Sequence, residues 1–71
     1  MLFTDVSHSR AVKVFVKARF WIVRGSGGKH TGMTDGIRKI IIPRHTRLNP
    51  YTLKGIIRDA GLTDGGFKEL L

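Results

Sequence analysis

KHTGMTDGIRKIIIP, Lys29 to Pro43, decides how the chain folds. Asp35-Gly36 is flanked on both sides by strand-like residues, and Asp-Gly in that setting is the strongest short-range hairpin signal. The reading is a strand at about Lys29–Thr34, a tight turn at Asp35-Gly36 and a strand at Ile37–Pro43. Pro43 ends the ladder because it has no amide to donate. Just upstream, FWIVR (Phe20 to Arg24) is dense in aromatic and β-branched residues and reads as another strand. The loop GSGG, Gly25 to Gly28, joins it to the hairpin. Three sequential strands with short connections make an antiparallel meander.

Further out on both sides the period changes to helical. Ser7 or Ser9 can cap a helix running to about Ala18, in which Ala11, Val12, Phe15 and Ala18 share one face and Arg10, Lys13 and Lys17 the other. Val14 and Val16 blur that pattern, and both are weak helix formers. Beyond the hairpin, Asn49 is a favourable N-cap and Pro50 suits the first helical position. Leu53, Ile56, Ile57 and Ala60 follow as an i, i+3, i+4, i+7 stripe, and Gly61 is placed for a left-handed C-cap. Thr63 caps a last short turn in which Phe67, Leu70 and Leu71 share a face. The expected fold class is α+β. Its order is α-β-β-β-α, with two helices on one face of a three-stranded antiparallel sheet and a short C-terminal helical turn.

Seventy-one residues make a single domain, 1–71, near the lower limit for a core that folds unaided. The absence of cysteine removes disulfides, thiolate metal sites and cysteine nucleophiles together. No apolar run approaches the ~20 residues needed to cross a bilayer. MLFTDVSHSR lacks the basic-then-apolar order of a signal peptide, so the expectation is a soluble, cytoplasmic protein. Thirteen Lys and Arg face five acids, a formal charge of +8. Six cations and no acid lie between Asp5 and Asp35, and six more between Asp35 and Asp59. Such a surface attracts a polyanion through phosphate contacts and counterion release. On charge alone, nucleic acid, an acidic protein partner and plain solubility all stay open.

Chemistry-bearing residues are few. His30, beside Lys29 and two glycines, stands at a turn-to-strand junction; a lone histidine there is ordinarily a turn residue bonded to backbone. His45, in PRHT, follows the third strand and with Arg44 and Arg47 reads as a phosphate contact or a loop support. His8, at a helix start, reads as solvent-exposed. Three scattered histidines without cysteine or a carboxylate at ligand spacing give no zinc site, so neither metal nor cofactor is expected. Ser9 and Ser26 lack a triad context. GSGGKHT lacks the spacing of a phosphate loop and the parallel unit around it. Trp21 could stack on a base, although an aromatic inside a strand more often serves a core or an interface. Met33 reads as packing.

GGKH opening the second strand, IIIPRH closing the third and NPYTLKGIIRDAGLT forming the last long helix together resemble the HicA (YcfA-like) toxin family, from about Val6 to Leu71. The resemblance implies a fold like the double-stranded-RNA-binding domain. It also implies a small basic endoribonuclease, an mRNA interferase of a type II toxin–antitoxin system that inhibits translation and is neutralised by a HicB-type antitoxin protein. The family's catalytic histidine, in its glycine-histidine segment, falls on His30. Two positions depart from the pattern. Arg19 stands where a glycine usually precedes the phenylalanine of the first strand, and Val16 replaces a commonly polar residue. If the helix exits through a left-handed residue, Arg19 costs about 1 kcal/mol.

Under that resemblance His30 would take the proton from a ribose 2′-OH, leaving a 2′,3′-cyclic phosphate, because an imidazole with a reference pKa of ~6.5 is available as a base near neutral pH. Arg24, Lys29, Arg38, Lys39, Arg44, His45 and Arg47 are the expected RNA-binding set, and glycines 25, 27 and 28 would let the backbone of mRNA approach closely. Lys29 and His30 should point to opposite faces if both lie in the strand. The alternatives are a non-catalytic RNA-binding module and a basic protein-binding partner.

Overall fold

The computed structural model describes residues 2–23 and 28–71. In chain order it contains α1 (His8–Lys17), β1 (Trp21–Ile22), β2 (His30–Thr34), β3 (Lys39–Pro43), α2 (Pro50–Asp59) and α3 (Asp64–Leu70). The strands form one antiparallel sheet in the order β1-β2-β3, with Met33 facing both Ile22 and Ile40 across the ladder. The α+β expectation holds, and the anticipated C-terminal turn is a seven-residue helix capped by the Thr63 hydroxyl.

Side-chain alternation sorts the sheet into two faces. Thr31, Met33, Ile40 and Ile42 are buried against the helices. The cross-strand pairs of opposite parity, His30–Pro43, Gly32–Ile41 and Thr34–Lys39, lie on the uncovered face. The core is closed by Ala11, Val14 and Phe15 of α1, Leu53, Ile56 and Ile57 of α2, and Phe67 of α3. Phe15 lies at its centre, with ring centroids 5.8 Å from Phe20 and 5.6 Å from Phe67. Fully burying one such ring contributes roughly 1.5–3 kcal/mol. The inner face of α1 is turned toward Val14 relative to the expected stripe. Val12 and Ala18 are therefore half-buried, and Val16 stays 54% exposed.

Both long helices end in the same motif. At α2, the Leu62 N–H donates to the Ile57 carbonyl and the Gly61 N–H to Arg58, with Gly61 at φ +76°. At α1, the Phe20 N–H donates to Phe15 and the Arg19 N–H to Val16, with Arg19 at φ +72°. These are paired Schellman bonds, and the Phe15–Phe20 ring contact is the apolar clasp that accompanies them. The left-handed exit anticipated at Arg19 is present, in a non-glycine residue, at a cost of about 1 kcal/mol.

Three details differ from the sequence reading. The hairpin loop has four residues, 35–38, because Thr34 pairs with Lys39; the third strand therefore starts at Lys39, and Ile37 is 92% exposed. The cause is the Asp35 carboxylate, which accepts from the N–H groups of Ile37 (2.9 Å) and Arg38 (2.7 Å), while the Thr34 hydroxyl donates to the Arg38 carbonyl. An Asx-type turn closed this way outcompetes the two-residue alternative. The first strand starts at Trp21 and not at Phe20, because Phe20 is consumed by the helix-ending motif; the Arg24 end of that reading lies outside the described residues. Trp21 is 53% exposed, so of the roles its position left open the core is removed and stacking or an interface remain.

Candidate functional site

One end of the sheet collects most of the chemistry-bearing residues. There β2 begins at His30, β3 ends opposite it at Pro43, and the Arg44 N–H donates to the Lys29 carbonyl (2.9 Å), extending the ladder by one step. Both long helices start at this end. Their caps are Ser7, whose hydroxyl accepts from the Arg10 N–H, and Asn49, whose side chain accepts from Tyr51 and Thr52. The residues just before the two caps are tied together by Leu48 N–H to Val6 carbonyl (2.8 Å), and His8 N–H donates to the His45 carbonyl (3.1 Å). The positive ends of two helix dipoles therefore meet at the same edge of the molecule.

His30 is exposed on the uncovered face, and its ring makes no hydrogen bond or ion pair among the described residues. Lys29 is exposed in the turn just ahead of it. The neighbouring residue, Thr31, points the other way and is only 2% exposed. Its hydroxyl accepts from Arg44 Nε (3.0 Å) and lies 2.8 Å from His8 Nε2. A hydroxyl that accepts from Arg44 still has its own proton to give, and a neutral His8 Nε2 takes it. The His8 pKa is accordingly held below the ordinary histidine value, first by burial and second by the Arg44 charge. His8 is thus a half-buried partner of the sheet rather than the solvent-exposed helix-start residue its position suggested. The signal for it lay in Thr31: that residue shares strand parity with Met33, and a hydroxyl on a core face needs a partner.

The remaining expected RNA-binding residues divide between the two ends. Arg44 and His45 belong to the histidine end. Arg47 is nearby in the chain and exposed, paired with Asp5 at 3.6 Å between two largely solvated side chains, a contact of small energetic weight. Lys39 shares the uncovered face with His30 but stands opposite Thr34, about 13 Å along the strand at ~3.3 Å per residue. Arg38 stands at the other end: its guanidinium lies so close to Gly61 that a Cβ built there would sit 2.7 Å from Nε. It thereby faces the negative end of the α2 dipole. Arg24, and with it Gly25 and Gly27, lies outside the described residues. Gly28 is described, exposed and at φ +70°, with open space around it.

The arrangement offers an unencumbered imidazole on one face, a guanidinium and two further imidazoles around the edge, and two helix N-termini behind them. Those groups can hold phosphate and move a proton. Among the described residues no three His, Cys, Asp or Glu side chains converge to hold a metal ion, and no helix is long and apolar enough to cross a membrane.

A family model described as HicA toxin of bacterial toxin-antitoxin matches residues 9–62. Among solved structures, a chain from a toxin–antitoxin complex of Streptococcus pneumoniae is 37% identical and superposes with a TM-score of 0.69. The match covers 79% of this chain and 97% of that one. No curated protein matches significantly.

Proposed function

The chain belongs to the HicA toxin family, and from that premise we propose that it is the endoribonuclease of a type II toxin–antitoxin pair, cutting mRNA with His30 as the general base. The observation that carries the proposal is the exposed, unbonded His30 ring on the uncovered face of the sheet, beside Lys29 and at the end where both helices begin.

His30 takes the proton of a ribose 2′-OH, and the 2′-oxygen attacks the adjacent phosphorus in line with the bond to the 5′-oxygen. That bond breaks, the departing 5′-oxygen takes a proton from water, and the products are a 2′,3′-cyclic phosphate and a 5′-hydroxyl. A cation at this end of the sheet offsets the negative charge that builds on the phosphorane oxygens, and exposed Lys29, the residue before His30, is our candidate for it. With a single positioned acid–base residue, turnover is slow.

The partner is a HicB-type antitoxin. The uncovered face presents Trp21 and Ile41, both about half exposed, on the same side as His30. An inhibitor with apolar groups for those side chains and acids for the surrounding cations competes directly with RNA. It also stabilises an 8.0 kDa domain by binding only its folded form.

The test is RNA cleavage by the purified chain and by His30→Ala, with products resolved by their termini. Cyclic-phosphate ends from the native chain and none from the variant are expected. Undiminished cutting by His30→Ala would refute the assignment of the base, and RNA that is bound but never cut by either protein would leave a binding module.

A further inference from the structure

We infer that the hollow lined by Ser7, His8, Ser9, Arg44, His45 and Thr46 is a phosphate subsite, seating the phosphodiester next to the one presented to His30. This rests on the nuclease reading above and adds a second contact on the opposite face of the sheet. The hollow has a volume of about 290 Å³, room for one phosphate and part of its ribose.

Its donors are prearranged. Arg44 is pinned by its Nε bond to the buried Thr31, which leaves its two terminal amino groups without a protein partner among the described residues. His8 is fixed through Nε2, so Nδ1 remains for a ligand. The His45 ring makes no hydrogen bond among the described residues, although its carbonyl anchors the His8 N–H. The Ser9 N–H, in the first turn of α1, is likewise unpaired there, and the helix dipole adds positive potential behind it. A guanidinium fork, two imidazoles and a backbone N–H around one concavity suit the several oxygens of a phosphodiester better than a single carboxylate.

Position supplies the rest. Arg44 pairs with Lys29 one ladder step beyond the His30–Pro43 pair, and Arg44 continues the buried parity of Ile42 while His30 lies on the open face. A polynucleotide passing over this end of the sheet therefore meets His30 on one side and the hollow on the other. Successive phosphates would straddle the β2–β3 edge.

The probe is a 2′-O-methyl oligoribonucleotide, which has no attacking hydroxyl and stays intact, titrated into the full chain while the imidazole resonances are followed by NMR. The His8 and His45 rings should shift, and the His8 titration midpoint should rise as the anion offsets the Arg44 charge. Arg44→Gln should weaken binding about tenfold and lower the slope of log affinity against log salt by about 1. Should loss of the Thr31 bond unfold that variant, His45→Gln keeps the test open: nothing else rests on its ring, and binding should weaken several-fold with the melting temperature unchanged. Unmoved His8 and His45 resonances, an unchanged salt slope, or shifts produced by polyglutamate and not by the oligonucleotide would overturn the subsite. Because the probe cannot be cut, the two readings fail separately. If His30→Ala abolishes cleavage of ordinary RNA while His8 and His45 stay unmoved, the subsite falls alone. Shifted rings together with full cleavage by His30→Ala remove only the catalytic assignment.

Discussion

The two ends of the sheet are built on opposite plans. At the hairpin end the polar groups of the loop are spent on structure: Asp35 closes it with two backbone bonds, Thr34 adds a third, and the Arg38 guanidinium lies beside Gly61 at the terminus of α2. Both helices end toward this side, each in a left-handed residue. At the histidine end the backbone is equally well tied, through Arg44 to Lys29, His8 to His45 and Leu48 to Val6. Its side chains are not: the rings of His30 and His45 and the guanidinium tip of Arg44 are left for something else.

The contrast breaks most visibly at His30. His30→Ala should lower RNA cleavage by a factor of about 10² or more while leaving thermal stability where it was, because the ring is exposed and bonded to nothing among the described residues. Gly61→Ala should do the reverse. A Cβ at φ +76° is strained and would displace Arg38, so the fold should lose about 1–2 kcal/mol, read as a lower denaturant midpoint, with cleavage by the folded fraction unchanged. A large loss of cleavage in folded Gly61→Ala would show that the two ends are coupled. Arg19→Gly is the smaller, favourable counterpart. Relief of left-handed strain exceeds the added chain entropy of glycine by about 0.5–1 kcal/mol, so the melting temperature should rise by a few degrees.

The same division marks what the residues disclosed in advance. The helix caps at Asn49, Pro50, Gly61 and Thr63 were legible because each acts within a few positions of itself, whereas Arg19 was marked only through the resemblance, as a non-glycine where the family usually has glycine. The hairpin was legible as a hairpin but not in its length, since Asp35 had to be weighed as a side-chain acceptor and not only as half of an Asp-Gly pair. His30 was placed at the edge of the meander from the glycine-histidine segment. His8 was missed because its partner, Thr31, is 23 residues away and Arg44 is 13 beyond that; no local period links them. Only the polarity of Thr31 on an apolar face pointed there. Arg38 shows what charge alone leaves out: it nominates the residue for RNA but gives no hint that its guanidinium lies beside Gly61 at the end of α2.

The gentlest probe of the two ends is acid. His8 and Asp35 both have folded-state pKa values below their ordinary ones, 6.5 and 3.8, for different reasons. His8 is lowered by burial and then by Arg44, Asp35 by the backbone N–H groups of Arg38 and Ile37. In each case the unfolded chain binds a proton that the folded chain resists, so stability rises with pH across the interval between the two values. The His8 contribution is whole above pH 6.5 and disappears as pH falls through its folded value. The Asp35 contribution is whole above pH 3.8 and disappears further down. The melting temperature should therefore fall in two stages on acidification. His8→Asn should flatten the upper stage and Asp35→Asn the lower. If His8→Asn reproduces the native slope in the interval just below pH 6.5, the Thr31 hydroxyl does not depend on a neutral imidazole. A saturating oligonucleotide adds one more sign: an anion in the hollow favours the protonated ring, so it should shrink the upper stage and leave the Asp35 stage, at the far end of the sheet, unchanged.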